Sequence, residues 1–266
     1  MAGTPSFSIL VPVTDANLYL ASFTLDSIAG QSYPFFEIVL IDGRKKEKSQ
    51  DFFEGYRSHI RKTLLAQGGD LFSILNQGVS LAEGEYIHVL IPGEYYLSKH
   101  ALNFVADFVQ QQNLPDLMCT GRMLRQSLCP PEISVEETSL QDLKKGKLTS
   151  CLQSAWFRKS ALLKEGGFDP RFKWQGGQDM ICRFYLRANL KKSFMRRVLV
   201  DYEYRRPPPG KVIRLFWETL VILCRHFGLG KALLWWTAQN HLRLLSWWLK
   251  SIQGAFSRKF SNKFAR

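Results

Sequence analysis

The chain has 266 residues, 45% hydrophobic and 22% charged, enough for one sizeable core plus an appendage and incompatible with a disordered or fibrous protein. Its formal charge of +13 is unevenly placed. From Arg205 onward twelve Lys or Arg face the single acid Glu218, whereas the first 204 residues carry twenty-four bases against twenty-two acids.

Five widely spaced cysteines without a CxxC pair argue against a disulfide frame or a zinc site and point to a reducing compartment. The opening MAGTPSFSILVPV lacks a basic run, and its apolar run is too short for a signal peptide. No stretch of 18 uncharged apolar residues occurs, so no transmembrane helix is expected. These features lead to the expectation of a cytoplasmic protein, and the tail described below adds the expectation that it is peripheral on the inner face of the membrane.

Residues 7–13, FSILVPV, read as a buried strand, 18–31 as a helix, and 36–42, FEIVLID, as a second buried strand ending in Asp42. Helices are expected near 50–62 and 71–82, followed by a strand EYIHVLI over 85–91. Strands alternating with helices indicate βαβ units and an α/β fold with a parallel sheet. Ligands on such sheets bind beyond the carboxyl ends of the strands. That rule selects Pro12–Asp15, Asp42–Gly43 and Pro92–Glu94 as one rim.

Further along, 98–112 reads as a helix, DLMCTG (116–121) as a short strand and 126–150 as a polar surface excursion. CLQSAWF (151–157) reads as a strand, RKSALLKE as a short helix and GGFDP as a turn. QDMICRFYLR (178–187) predicts a helix opened by Asp179, with N-capping one role for that carboxylate. A strand over 193–204 precedes RRPPPG, which breaks the chain and divides a domain of 1–205 from a tail of 206–266.

In the tail, two helical patterns flank Gly228-Leu229-Gly230. Lys211, Arg214, Glu218 and Arg225 fall on one stripe of the first, with Val212, Leu215, Phe216, Leu220 and Leu223 around it. Gln239, Arg243, Ser246, Lys250 and Gln253 recur in the second, and five of the seven tryptophans lie here. Amphipathic helices with Trp and Leu on one side and Lys or Arg on the other match a membrane-interface pattern. Packing on the main domain, or on a second copy in a homo-oligomer, competes with that reading. The apolar density is too high for nucleic acid to be the partner.

Three blocks in order resemble glycosyltransferase family 2, whose members have the GT-A fold: SILVPVTDANLYLASFTLDSIAGQSYPFFEIVLIDG, LNQGVSLAEGEYIHVLIPGEYYLSKHAL and WFRKSALLKEGGFDPRFKWQGGQD. The similarity covers roughly residues 7–205. It implies a Rossmann-like, mostly parallel sheet flanked by helices, with the C-terminal helices appended. It also implies a nucleotide-sugar donor, in the first place a UDP-sugar, and a glycan or lipid-linked acceptor.

By this resemblance Asp42 accepts from a ring N–H of the base, and Pro12 through Asp15 match the first nucleotide-cradling loop, with Thr14 replacing its tyrosine and Asp15 its asparagine. Gly43 replaces a second aspartate, and Leu75 stands where the family often has arginine. The strand-end Asp-x-Asp that holds Mg²⁺ or Mn²⁺ on the donor diphosphate is replaced by Ile91 and Gly93, leaving Glu94 as the one carboxylate for a metal. Gly93 falls within the nucleotide site. Asp179 matches the general base of inverting members, with Gln178 beside it and Trp174 and Gln175 on the acceptor side. Two functions stay open: a glycosyltransferase, or a catalytically degenerate GT-A domain serving as a binding or scaffold subunit.

Overall fold

The computed structural model describes residues 3–44, 51–66, 69–126, 130–147, 151–204 and 209–239. The chain divides into two compact units: residues 1–139 with 148–204, and residues 140–147 with 205–266.

Strand β1 (Phe7–Val13) is buried along its whole length. It pairs in parallel with β2 (Phe36–Asp42) on one side and β4 (Tyr86–Val89) on the other. β2 pairs in parallel with β3 (Ile60–Leu65) at the sheet edge. Helix α1 (Ala21–Ala29) and α3 (Ala101–Gln111) bury Leu25, Ile28, Leu102, Val105 and Val109 in one cluster with Phe7, Ile9, Val11 and Val13. Alternate β1 residues point the other way, where Leu10 and Ile41 meet α2 (Leu71–Leu81) at Gly78. A strand covered on both faces reads as a continuous apolar run, which is why FSILVPV shows no alternation.

Beyond β4 the sheet turns antiparallel through β8 (Ala155–Arg158) and β6 (Leu117–Gln126). β9 (Lys192–Tyr204) then runs parallel to β6, and β5 (Tyr95–Tyr96) closes that side antiparallel to β9. The order among the described residues is β3-β2-β1-β4-β8-β6-β9-β5, with β7 (Glu132–Ser134) paired to β6. Short α5 (Lys159–Lys164) follows β8, and α6 (Gly176–Leu186) precedes β9.

Several expectations change. The helix expected near 50–62 is a 3-10 turn, Asp51–Tyr56, followed by β3. IRKTLL alternates between half-buried and exposed positions, the period of an edge strand. CLQSAWF opens with a 3-10 turn, Leu152–Ser154, and only its second half is strand. The strand at 117 extends to Gln126 because β9 supplies a long partner. The polar excursion contains β7 and the short α4 (Leu140–Lys144), and α4 belongs to the second unit.

In that unit, α7 (Pro209–Phe227) and α8 (Leu229–Ala238) form a hairpin with the Phe216 and Trp235 rings 4.9 Å apart. Val212, Thr219, Ile222 and Leu223 are buried, and Ile213 and Trp217 are exposed. Glu218, expected on the polar stripe, is buried instead and accepts from Arg214 Nε at 2.9 Å. A lone acid tied to the base one turn earlier takes the buried position. The pattern over 240–253, with Arg243, Lys250, Trp247 and Trp248, lies outside the described residues. Among the described residues no helix is long and apolar enough to cross a membrane.

Gly84, just before β4, sits hard against β1. A Cβ there would lie 2.5 Å from the Ser8 nitrogen, while its own N–H donates to Ser8 Oγ at 2.8 Å. Ser8 in turn donates to Glu37 Oε1 at 2.6 Å, and that oxygen also accepts from the Glu83 N–H at 2.6 Å. Gly84→Ala therefore forces backbone apart, and urea denaturation should show a loss of about 1–3 kcal/mol. An unchanged midpoint would refute the close approach.

Candidate functional site

Parallel pairing places Val13 opposite Asp42, and the Gly43 N–H extends the ladder to the Val13 carbonyl at 2.8 Å. Pro12, Thr14 and Asp42 thus stand together at the carboxyl rim of β1 and β2. Asn17 shapes the loop between β1 and α1. Its Oδ1 accepts from the Thr14 N–H, three residues earlier, at 2.7 Å and holds the chain as it leaves the strand. Asp15 is exposed on this loop, and Pro12 is buried at its root.

Asp42 does not face an open rim. Arg44 grips its carboxylate bidentately, Nε to Oδ1 at 2.7 Å and Nη2 to Oδ2 at 2.5 Å, and its guanidinium lies 4.5 Å from the centre of the Phe53 ring. Both side chains are largely withdrawn from solvent. Arg44 carries no signal in the sequence beyond its spacing, an arginine two residues after a strand-end aspartate being placed for such a fork.

At the end of β4, Pro92-Gly93 makes a tight turn closed by Glu94. Glu94 Oε2 accepts from the Ile91 N–H at 2.8 Å, and its carboxylate also meets the Gln153 side chain. The turn leans on α1: Thr24 Oγ1 accepts from the Gly93 N–H at 2.9 Å and donates to the Glu94 carbonyl at 2.7 Å. Gly93 and Glu94 are both buried. Burial pushes the Glu94 carboxyl up to about 8, the two hydrogen bonds opposing the shift only in part.

The same loop anchors on a second buried polar group. His88 stacks on Trp156 with ring centres 3.9 Å apart. Its Nε2 lies 2.8 Å from the Gln153 carbonyl, which only accepts, so Nε2 carries the proton and Nδ1 accepts from Tyr96 Oη at 2.7 Å. Burial lowers the imidazole to about 3, so it is neutral at physiological pH. Tyr95 Oη donates to the buried Asp201 at 2.7 Å, and Arg125 Nε donates to the same carboxylate at 3.2 Å. These bonds explain why YY forms β5 after the turn.

As a cation site the rim fits poorly. Among the described residues no group of three or more His, Cys, Asp or Glu is placed to hold a metal. Glu94, the carboxylate expected to serve Mg²⁺ or Mn²⁺, is turned into the protein and holds its proton at pH 7, the opposite of what a hard cation needs.

Asp179 lies elsewhere, on α6. The helix begins at Gly176, two residues earlier than expected, with Gln175 at its cap position. Asp179 is therefore inside the first turn, its N–H already bonded to the Gln175 carbonyl at 2.9 Å, and the capping role falls away. Fully buried, it accepts from Arg183 Nε at 3.0 Å and Nη2 at 2.9 Å. Arg183 also donates to the carbonyls of Glu165 and Gly167. Asp179 and Arg183 are four residues apart, so the helical spacing contains the pair. Gln178 is buried beside it, and Trp174 is 45% exposed in the preceding loop. Asn76 ties α2 to this region, its amide exchanging two hydrogen bonds of 2.7 and 2.8 Å with the Phe168 backbone.

A mostly parallel, Rossmann-like sheet flanked by helices and extended by an antiparallel half is a GT-A-like glycosyltransferase fold. Residues 8–90 match the model of the family described as Glycosyl transferase family 2. The chain is 24% identical over 205 residues to the PGL/p-HBAD biosynthesis glycosyltransferase Rv2957 of Mycobacterium tuberculosis, covering 74% of this chain and 77% of that one. It is 25% identical over 181 residues to the Bacillus subtilis minor teichoic acid biosynthesis protein GgaB, covering 63% of this chain and 19% of that protein. Among solved structures, S. aureus TarS 1–349 in complex with UDP-GlcNAc superposes with a TM-score of 0.65 at 19% identity, covering 85% of this chain and 69% of that one. The mannosyltransferase PcManGT of Pyrobaculum calidifontis, in complex with GDP-Man and Mn²⁺, gives 0.61 at 13% identity, covering 96% and 76%.

The Glu94 shift has a definite pH signature. Its folded value of about 8 exceeds the ordinary 4.5, so the stability it contributes is full below 4.5 and is lost as pH rises through 8. His88 acts oppositely: its contribution is full above 6.5 and is lost as pH falls through about 3. Glu94→Gln keeps an acceptor for Ile91 and removes the first slope. Between pH 5 and 8.5 the native chain should lose on the order of 3 kcal/mol relative to this variant in urea denaturation. Parallel stability profiles would contradict the buried, protonated carboxyl.

Proposed function

We propose that the protein is a nucleotide-sugar-dependent glycosyltransferase acting on an envelope or lipid-linked glycan at a membrane surface. The observation that carries this reading is the Asp42 carboxylate, set by strand register beside Val13 and Thr14 at the rim. The relatives named for PGL/p-HBAD and teichoic acid biosynthesis support the acceptor class.

In this reading Asp42 accepts from a ring N–H of the base, uracil in the first place, once Arg44 releases it. Pro12, Thr14 and Asp15 line the approach. Asp179 takes the proton of the acceptor hydroxyl as its oxygen attacks C1 of the donor sugar, the nucleoside diphosphate leaves from the opposite face, and the product is inverted. Arg183 fixes the orientation of Asp179, and Trp174 offers an aromatic face to the acceptor beside Gln178. No step is assigned to a metal on Glu94, whose carboxyl is neutral and inward.

Calorimetry with UDP- and GDP-sugars, with and without Mn²⁺, tests the donor. Asp42→Asn should weaken nucleotide binding about 10-fold or more, whereas Arg44→Ala, which removes the competitor, should bind at least as tightly as the native chain. No binding of any nucleotide under either condition would sink the enzyme. Asp179→Asn should keep nucleotide affinity and lose about 10²- to 10⁴-fold in transfer; transfer at the native rate would remove Asp179 from the base role.

A second reading, a GT-A domain that binds without transferring, draws on one observation: Asp179 is fully buried on Arg183. Tight donor binding with no transfer by the native chain to any membrane-extract acceptor is its signature.

The exposed Ile213, Trp217, Leu233 and Trp236 support a membrane surface as partner. Replacing all four by Ser should cut sedimentation with anionic vesicles at least about 10-fold. Unchanged sedimentation would defeat that part of the reading.

A further inference from the structure

We propose that the second unit holds a binding pocket for the phosphate headgroup of a membrane lipid, between α4 and α8. This deepens the membrane reading above and rests on it. The pocket has a volume of about 400 Å³, within the range of small-molecule sites. Lys144 ends α4, Lys145 follows it, Lys231 comes from α8, and none of the lining residues is acidic. Three lysines lining one pocket bring like charges together, and an anion among them relieves that repulsion. Each offers three N–H donors, and the Gln141 amide adds more, which suits the acceptor oxygens of a phosphate mono- or diester.

The geometry is prepared in advance. After α4 the backbone closes tightly, with Lys145 N–H on the Gln141 and Asp142 carbonyls and Lys147 N–H returning to Asp142 at 2.9 Å. Gly146 takes φ +67°, and a Cβ on it would lie 2.4 Å from Trp235 Nε1. That contact, with Phe216 on Trp235, fixes the indole as one wall. A wall already in place loses little on binding.

The other wall explains why a lipid fits better than a free anion. Leu234 lines the pocket and is also 63% exposed, and Leu233 and Trp236 are exposed on the same helix. A headgroup seated on the lysines would run its glycerol and first methylenes along Trp235 and Leu234 toward an apolar surface. Free phosphate or a nucleotide has nothing to place there.

The test is vesicle partitioning of the full chain on phosphatidylcholine doped with phosphatidylglycerol. A lysine beside anionic lipid contributes about fivefold, so Lys144→Ala/Lys145→Ala/Lys231→Ala should lose about 100-fold. A control removing three exposed lysines from the main unit, Lys99→Ala/Lys164→Ala/Lys191→Ala, should lose less than about fivefold. Gly146→Ala keeps every charge but displaces the indole wall, and should also weaken partitioning. Inorganic phosphate alone should not release the bound protein. Equal losses in both triple variants, or no loss in the pocket variant, would overturn the pocket and leave the membrane reading standing. Release by inorganic phosphate would make it a free-phosphate site and overturn the lipid assignment. Absence of binding by the native chain would overturn the pocket and the membrane reading together. Nucleotide calorimetry is untouched by any of these outcomes.

Discussion

The central constraint is that β1 is hydrogen-bonded on both edges and covered on both faces. β2 and β4 bracket it, α1 and α3 cover one face, and α2 meets the other. A strand so enclosed cannot slip by one residue without turning its whole apolar set the wrong way. Its register therefore fixes where the chain emerges, and that point is Val13 beside Asp42. Every candidate contact at the rim inherits its position from this pairing. The Ser8–Glu37–Gly84 knot at the opposite end of the same strands holds β4 to β1 and β2.

From that frame the polar groups follow two different fates. At β1 and β2 the backbone leaves the sheet early, and Asp42 meets Arg44, whose guanidinium packs over Phe53. At β4 the Pro-Gly turn folds back onto α1, and Thr24 and Ile91 take up its polar atoms. Glu94 is consequently a carboxyl that keeps its proton, held with the neutral His88 through Gln153. The contrast is physical: Asp42 has a cation gripping it, whereas the buried Glu94 has only neutral hydrogen-bond partners and burial raises its carboxyl. At this strand end the chain has built a hydrogen-bonded turn.

The parallel core and its rim were legible in the sequence because they rest on local signals. FSILVPV and FEIVLID are short apolar runs, and Asp42 ends one of them where the chain must leave the sheet. What stayed hidden depends on partners distant in sequence. IRKTLL becomes a strand because β2 has a free edge, not because its composition demands it. Tyr95-Tyr96 pairs only once β9 is in place. Glu94 looked available because a sequence records its charge type and not that Gln153, 59 positions on, closes over it. Arg183, by contrast, was within reach of helical spacing, and starting α6 two residues late concealed its tie to Asp179.

The second unit follows the same logic with the polarity reversed. In the main unit burial neutralises or pairs the titratable groups that line the rim. In the unit of α4, α7 and α8 the lysines stay exposed around a cavity with an aromatic wall, while the acid Glu218 is withdrawn onto Arg214. Withdrawing Glu218 removes that acid from the surface on which Lys144, Lys145 and Lys231 stay exposed. Exposed Trp217 and Trp236 then share that surface with the cations, a pairing favoured where water meets lipid. Among the described residues, the basic character of this unit is thus set by the acid that folding hides as well as by the bases it displays.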